Sequence, residues 1–285
     1  MKILLTNDDG IEAEGLWAIY KELKKFADVI VVAPDTQKSS VGHGITLGKP
    51  ITHKIVGARS SRPNDNRRGN DLNGSGNPTP AWHAIGGTPS DCVKFALNVL
   101  LKKKPDAVVS GINLGPNDGH SVFYSGTVAG AREGSFANIP SVALSLATFR
   151  KPDYSYAAKV GAKIVKIIVG EGSPRPLFPG AEKLMGAETA PLLNVNVPNL
   201  PKSKIKGIKN TCQGTVPIVE VFKRGQTPLG SDPIYYLSGK LPKKRNNDNE
   251  DTYLLQKGYV TITPLQNDLT DNEFLRTGIP APTRT

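Results

Sequence analysis

The segment Ile3-Leu4-Leu5-Thr6-Asn7-Asp8-Asp9-Gly10-Ile11 joins an apolar run to two adjacent carboxylates and a glycine. The apolar run predicts a short buried strand, and the polar residues come where that strand ends. Adjacent negative charges repel each other unless a positive group lies close to them. Ligands of α/β proteins bind at the carboxyl ends of parallel strands, so a metal ion is a candidate for that positive group. A plain polar turn is the alternative, because Asn, Asp and Gly all favour turns.

The composition fits an α/β protein of one large or two modest domains, since the chain has 285 residues of which 38% are hydrophobic. No apolar run approaches the roughly 20 residues that a membrane span needs. The N-terminus lacks the charged start and apolar core of a secretory signal. The two cysteines, Cys92 and Cys212, form no metal-binding pattern. We therefore predict a cytoplasmic protein with free thiols and no membrane partner.

The chain is basic, with a formal net charge of +11. Much of the excess lies between Lys202 and Arg245. This stretch contains ten Lys or Arg residues and only two acids, Glu220 and Asp232. A basic surface favours anionic ligands such as nucleotides. These cations lack the interleaved aromatic residues of a nucleic-acid surface, so we predict a solvated face and no nucleic-acid partner.

Strand and helix patterns alternate up to about residue 146. A helical stripe over Glu14 to Lys25 is followed by the apolar run Val29 to Ala33. Thr88 to Asp91 has the capping residue, the early proline and the acidic third residue of a helix start. Further buried strands are predicted at Ala107 to Val109 and at Val142 to Leu144. This alternation predicts a Rossmann-like α/β fold with a doubly wound, mainly parallel sheet.

The pattern becomes β from about Ile205 to Leu237, and Gly258 to Leu265 predicts one further strand. We therefore divide the chain into a catalytic domain over residues 1–200 and a β-rich appendage with a C-terminal segment over residues 201–285. Exposed strand edges invite pairing with another chain. The appendage thus predicts oligomerisation, as a homodimer or a larger assembly.

The stretch from Gly57 to Pro80 interrupts the alternation. Its 24 residues contain two apolar side chains, Ala58 and Leu72. So little apolar content predicts an exposed insertion at about residues 57–82. Its arginines could reach an anionic substrate, or the insertion could simply be solvated.

A second group of polar residues follows the strand predicted at Val108 and Val109. Small and hydroxyl residues then open a helix over Tyr124 to Ala131. Free backbone N–H groups at such a helix start favour an anion, and Ser125 and Thr127 add donors. An ordinary N-cap by either residue is the alternative. Beside the paired carboxylates, this group predicts a phosphate site next to a metal site.

A third polar loop, Pro34 to Gly44, follows the second predicted strand. Asp35 could bind the metal or cap the turn after the proline. His43 could donate to phosphate or act as an acid, and an incidental surface histidine is an equal alternative. The chain has no Walker loop, nucleophile elbow or zinc-type histidine spacing.

Five motifs in order resemble the SurE family of stationary-phase survival proteins, which are metal-dependent nucleoside-monophosphate phosphatases. The motifs are Asn7 to Gly10, Val32 to Asp35 with Ser39, Gly87 to Val93, Ser110 to Asn113, and Tyr124 to Val128 with Glu133 and Gly134. The likeness is close over residues 1–146 and resumes at Leu193 to Pro198 and at Gly258 to Leu265.

The resemblance implies one divalent cation per subunit, magnesium or manganese. The implied metal ligands are Asp8, Asp9, Ser39 and Asn113. The implied phosphate-binding residues are Asn117, Ser125, Gly126 and Thr127. The resemblance also implies a dimer or a tetramer, built through the β appendage and an exchanged C-terminal segment.

The predicted reaction is the hydrolysis of a nucleoside 5′- or 3′-monophosphate, or of another small phosphomonoester, with Asp8 and Asp9 as catalytic residues. Charge neutralisation at the phosphoryl group is its main requirement. A water oriented by a carboxylate could attack phosphorus, or Asp8 could be the nucleophile. Two other classes remain: a nucleotide-binding sensor with little turnover, and a metal-dependent enzyme acting on a sugar nucleotide. Paired carboxylates beside a phosphate site favour hydrolysis over both.

Overall fold

The structure is a computed structural model that describes residues 1–57, 81–170, 190–217, 219–226, 232–240 and 245–277. Residues 58–80, which make up most of the predicted insertion, lie outside the described residues. The end of the predicted C-terminal segment, after residue 277, lies outside them as well.

The described part of the chain contains a large sheet and a smaller one. The strands are β1 (Lys2–Thr6), β2 (Asp28–Pro34), β3 (His53–Gly57), β4 (Ala81–Ile85), β5 (Ala107–Leu114), β6 (Ser141–Ala147), β7 (Leu192–Pro198), β8 (Ile208–Asn210), β9 (Val219–Arg224), β10 (Tyr235–Lys240) and β11 (Val260–Leu265). The large sheet has nine strands in the order β3-β4-β2-β1-β5-β6-β7-β11-β8. Two neighbouring pairs, β3 with β4 and β7 with β11, are antiparallel, and the other pairs are parallel.

Six α-helices accompany the sheets in the described residues. They are α1 (Glu14–Leu23), α2 (Pro89–Phe95), α3 (Gly126–Phe136), α4 (Tyr154–Ile168), α5 (Asp251–Gln256) and α6 (Asn272–Thr277). A π-helical turn over Ala96–Leu100 continues α2, and short 3-10 helices cover Gly119–Tyr124 and Lys202–Lys204. Among the described residues, no helix combines the length and the apolar character needed to span a membrane.

Both faces of the large sheet are covered, because alternate residues of its central strands face different helices. Ile3 and Leu5 of β1 lie in the core cluster formed with α1 and α4, whereas Leu4 lies in the cluster formed with α2. All three are fully buried. The prediction of a doubly wound, mainly parallel α/β sheet is confirmed.

Helix α2 begins as its sequence predicts. Thr88 is the N-cap, its hydroxyl accepts a hydrogen bond from the Asp91 N–H, and the Asp91 carboxylate accepts one from the Thr88 N–H. This reciprocal pair is a capping box. The Asp91 carboxylate also accepts hydrogen bonds from the N–H and the hydroxyl of Thr46, at 2.9 and 2.7 Å. The start of α2 therefore holds the end of the third polar loop.

The segment after residue 200 contributes to both sheets. Strands β8 and β11 pair with each other and extend the large sheet next to β7. Strands β9 and β10 pair antiparallel in a second sheet of two strands. We call this hairpin, with its residues Val219–Arg224 and Tyr235–Lys240, the β arm. It lies within the β-rich appendage predicted from about Ile205 to Leu237, whereas β8 of that range joins the large sheet.

Candidate active site

A tight turn after β1 carries the two predicted catalytic carboxylates. The Asn7 side-chain amide donates to the Gly10 carbonyl at 2.9 Å and closes this turn. Gly10 has φ +98°, a conformation that other residues rarely adopt. The Ile11 N–H donates to the Pro34 carbonyl at 2.8 Å, which joins the turn to the end of β2. Asp8 is only 4% exposed within it.

Asp8 meets the start of α3. The Thr127 hydroxyl donates to Asp8 Oδ1 at 2.5 Å, although 119 residues separate the two in sequence. Ser125 is the N-cap of α3, and its hydroxyl accepts the Val128 N–H at 3.1 Å. Burial raises the pKa of Asp8 to about 6, the Thr127 hydrogen bond acts in the opposite direction, and the charge of Asp9 raises the pKa further. The structure thus places Asp8 directly against the predicted phosphate-binding residues.

Asp9 is held by the end of β5. The Leu114 N–H donates to Asp9 Oδ2 at 3.0 Å. Burial raises the pKa of Asp9, and this hydrogen bond offsets part of the increase. The neighbouring Asn113 is nearly buried, and its amide nitrogen donates to the Gly115 carbonyl at 2.8 Å. The amide oxygen of Asn113 is therefore the atom left to bind a cation.

Ser39 lies on the loop after β2, beside the carboxylate turn. The N–H of the preceding Lys38 donates to the Asp8 carbonyl at 2.7 Å. The Ser39 hydroxyl accepts the Gln37 amide at 2.8 Å and is exposed. Because β2, β1 and β5 are neighbours in the sheet, the structure brings together the segments that carry all four predicted metal ligands.

The four side chains fit a hard divalent cation. They offer two carboxylates, a hydroxyl and an amide oxygen, which are the ligand types that magnesium and manganese prefer. Within the described ranges, no Lys or Arg forms an ion pair with Asp8 or Asp9. Asp8 is buried and Asp9 is half-buried, and such adjacent carboxylates without a cationic partner are costly unless a cation binds. Among the described residues, no group of three or more His, Cys, Asp or Glu could hold a metal ion. The predicted site therefore combines its two carboxylates with a hydroxyl and an amide oxygen.

Asn117 lies in a buried amide network. Its N–H donates to Asn196 Oδ1 at 2.8 Å and its side-chain amide donates to the Ser145 hydroxyl at 2.8 Å. Its carbonyl accepts the side-chain amides of Asn194 and Asn196, at 2.6 and 3.1 Å. The asparagines of the Leu193 to Pro198 motif therefore hold the loop after β5.

His43 is paired away from the carboxylate turn. Its Nε2 lies 2.8 Å from Glu133 Oε1, and Lys94 Nζ lies 2.8 Å from the other oxygen of Glu133. The His43 ring stacks on Phe136, with 5.5 Å between ring centroids. Burial alone would raise the pKa of Glu133, but hydrogen bonds from His43 and Lys94 outweigh it and lower the pKa. Glu133 is two turns beyond the start of α3, so this contact favours a structural role for His43.

Two aromatic residues near the site are missed by the sequence patterns. Burial raises the pKa of Tyr154 to about 12, and the charges of Asp9 and Glu14 contribute, which places its hydroxyl near the carboxylates. The ring of Phe149 lies so close to Gly115 that a Cβ there would be 2.5 Å from it. Tyr154 stands in a helical pattern and Phe149 in a loop, and neither position carries a motif.

A family model and two named proteins are similar to this chain. The family model described as Survival protein SurE matches residues 3–219. A protein named 5′-nucleotidase SurE from Syntrophobacter fumaroxidans is 38% identical over 277 residues, which cover 97% of this chain and 98% of that protein. A protein of the same name from Desulfitobacterium hafniense is 40% identical over 273 residues, covering 95% and 93%.

A solved structure is similar over almost the whole chain. The crystal structure of the SurE protein from Aquifex aeolicus has a TM-score of 0.73 and 35% sequence identity, covering 97% of this chain and 98% of that chain. The family model spans the five motifs, and the relatives extend the match to nearly every residue. The predicted resemblance is confirmed, and this chain belongs to the SurE family.

Proposed function

We propose that this protein is a phosphomonoesterase that hydrolyses nucleoside 5′- or 3′-monophosphates to nucleoside and phosphate. The names of its relatives from Syntrophobacter fumaroxidans and Desulfitobacterium hafniense, both 5′-nucleotidase SurE, support this reaction. The observation that carries the proposal is the 2.5 Å hydrogen bond between Thr127 and Asp8. It joins the carboxylate pair to the start of α3, where an anion is favoured.

Asp8, Asp9, Ser39 and Asn113 would hold one magnesium or manganese ion. When bound, this cation neutralises charge on the phosphoryl group. The site itself supplies buried carboxylates that lack another cationic partner among the described residues. A cation is therefore expected to stabilise the folded protein and also to be needed for its activity.

The start of α3 would hold the phosphate oxygens. The N–H groups of Gly126 and Thr127 belong to its first turn, which lacks helical acceptors. Gly126 also leaves room for close approach, since a Cβ there would lie 2.9 Å from the Asp8 Cβ. Asn117 would contribute from the loop after β5, at the position that the amide network holds.

Asp8 joins the proposed cation site to the proposed phosphate site. It is nearly buried, and it accepts the Thr127 hydrogen bond at the start of α3. We assign Asp8 and Asp9 the role of cation ligands, and Asp8 the further role of orienting the attacking water.

The test is phosphate release from AMP and from a chromogenic phosphomonoester, with manganese and with EDTA. Turnover that requires the metal is the expected result. Binding of AMP without metal-dependent release of phosphate would contradict the proposal and favour a nucleotide sensor instead.

We also propose a homodimer or homotetramer built through the β arm. Both faces of the arm carry exposed apolar side chains: Val219, Val221, Phe222, Tyr235, Tyr236 and Leu237. A lone two-stranded hairpin is only marginally stable in water, so a surface of this kind needs a partner. We further propose a cytoplasmic location, supported by the two free thiols, Cys92 and Cys212.

Light scattering at micromolar concentration is expected to give two or four times the chain mass of 30.5 kDa. The Phe222→Lys variant should shift the protein toward the monomer, because it places a charge in the apolar surface of the arm. Val99→Lys, which alters an exposed apolar residue outside residues 201–285, should leave the mass unchanged. A wild-type mass of 30.5 kDa would rule out this assembly.

A further inference from the structure

Asp251 is a buried carboxylate that the proposed reaction does not use. It is the first residue of α5 and is fully buried. Oδ1 accepts the N–H groups of Gly214 and Thr252, at 2.8 and 2.7 Å. The N–H of Gly119 lies 3.2 Å from both carboxylate oxygens. One side chain therefore joins three separate stretches of backbone.

Gly119 is held on both sides of its backbone. Its N–H donates to Asp251, and its carbonyl accepts the Gln213 side-chain amide at 2.9 Å. A Cβ at Gly119 would lie 2.9 Å from the Thr252 methyl group, and the residue has φ +51°. The contact thus requires glycine, and it fixes this peptide in place.

The groups that hold Gly119 come from the two segments that flank the β arm, residues 212–215 and 246–251, which we call the root of the arm. Gln213 and Gly214 precede β9, and Asp251 follows β10. The Asp251 N–H donates to the Cys212 carbonyl at 2.9 Å, and the Cys212 N–H donates to the Asn249 carbonyl at 3.0 Å. The chain entering the arm and the chain leaving it are therefore joined to each other at Gly119.

Gly119 itself belongs to the segment that would hold phosphate. It lies two residues after Asn117, and the 3-10 helix Gly119–Tyr124 leads directly to Ser125, the N-cap of α3. This helix is short, so a displacement at Gly119 is passed on to the start of α3. Gly119, which the arm root holds, therefore lies six positions before the N-cap of the helix that would bind phosphate.

We propose that Asp251 and Gln213 are positioning residues that couple the root of the β arm to the phosphate site. They set the position of Gly119, and through it the placement of Asn117 and of the first turn of α3. The coupling rests on the proposed function, since it acts on substrate binding at that site. Through it, a partner that moves the arm would change the affinity for phosphate.

The neighbouring Asp118 shows that this arrangement is costly. It is nearly buried, and burial raises its pKa to about 6, with the charge of Asp251 adding to the increase. Two carboxyl groups so close together disfavour each other's charged form. Burial raises the pKa of Asp251 as well, and its hydrogen bonds from the N–H groups of Gly214, Gly119 and Thr252 offset part of the increase.

Two variants test the contacts on Gly119, and a third is a matched control. Asp251→Asn can keep an acceptor toward Gly214 and Thr252, but it replaces one of the two oxygens near the Gly119 N–H with an N–H donor. Gln213→Ala removes the donor to the Gly119 carbonyl from a half-buried position. Asn246→Ala is the control, because Asn246 joins the two sides of the arm root through the Thr215 hydroxyl at 2.9 Å, without a hydrogen bond to Gly119.

Each of the first two variants is expected to raise the KM for AMP and the inhibition constant of inorganic phosphate about fivefold, the effect of losing one ordinary hydrogen bond. The kcat should stay within about twofold, because the Leu114 N–H holds Asp9 and the Asn7 amide closes the turn that carries both carboxylates, and neither contact involves residues 119–127. Asn246→Ala should leave both constants unchanged. The proposal would be overturned if KM stayed constant in Gln213→Ala, if kcat fell with KM unchanged, or if Asn246→Ala gave the same increase.

Hydrogen–deuterium exchange separates this proposal from the proposed function. Faster exchange over residues 119–127 is expected in Asp251→Asn and Gln213→Ala, but not in Asn246→Ala. Absence of turnover in the wild type would contradict the proposed function alone. Unchanged exchange over residues 119–127 in both variants would contradict the coupling, whatever the protein hydrolyses.

Discussion

Replacement of Asp9 by Asn is expected to abolish most hydrolysis while the protein stays folded. The Asn side chain can still accept the Leu114 N–H, which donates to Asp9 at 3.0 Å in the wild type. The change removes one of the two carboxylate charges available to a cation. Losing an outer partner of a metal ligand typically costs about 10- to 100-fold, so losing a ligand should lower kcat/KM by at least about 100-fold. Phosphate release from AMP at increasing manganese concentration measures this effect.

The melting temperature distinguishes the loss of a metal ligand from misfolding. Burial raises the pKa values of Asp8 and Asp9, so the fold disfavours their charged forms. Without metal, Asp9→Asn should therefore melt at the same temperature as the wild type or slightly above it. Manganese should raise the melting temperature of the wild type more than that of the variant. Asp248→Asn, which changes an exposed carboxylate, should match the wild type, and full activity of Asp9→Asn at saturating manganese would contradict the metal-site assignment.

Much of the large sheet could be predicted because its strands are buried on both faces. Such strands are continuous apolar runs, as in Val29 to Ala33 and Ala107 to Val109. The capping box is also local, since Thr88 and Asp91, three positions apart, make both of its hydrogen bonds. The position of β11 beside β7 depends on pairing between segments more than 60 residues apart. No local pattern encodes such a contact, which is why its sheet neighbours could not be predicted.

The candidate site shows the same division. The carboxylates were predictable because they follow an apolar strand directly. The contact between Asp8 and Thr127 was not, because a helix-opening threonine serves equally well as a cap, a phosphate donor or a partner for a distant carboxylate. His43 has the same ambiguity, which only Glu133, 90 residues away, resolves. Asp251 carries no motif at all, since its role depends on three backbone segments that meet in space.

Replacement of Gly126 by Ala is expected to damage the site through space alone. Gly126 is the first residue of α3, and its Cα faces the carboxylate turn. A Cβ there would lie 2.9 Å from the Asp8 Cβ, 3.2 Å from Asp8 Oδ2 and 3.3 Å from the Pro89 ring. Real Cβ atoms essentially never come within 3.0 Å of another heavy atom, so either Asp8 or the start of α3 must shift. Because a misplacement of about 1 Å can cost about 100-fold in rate, we expect kcat/KM for AMP to fall by about two orders of magnitude.

Stability should change far less than activity in Gly126→Ala. Overpacking at a tight site typically costs about 1–3 kcal/mol. Alanine recovers part of this, because it is the better helix former. Gly57→Ala is the matched control, since a Cβ at Gly57 meets no atom of the described residues within 4 Å. Gly126→Ala should therefore lose much activity in AMP kinetics but little stability in denaturant unfolding. Gly57→Ala should keep wild-type values in both measurements. If Gly126→Ala kept wild-type kinetics, the reaction would not need Asp8 and the first turn of α3 at their observed separation, and the assignment of both to one site would fail.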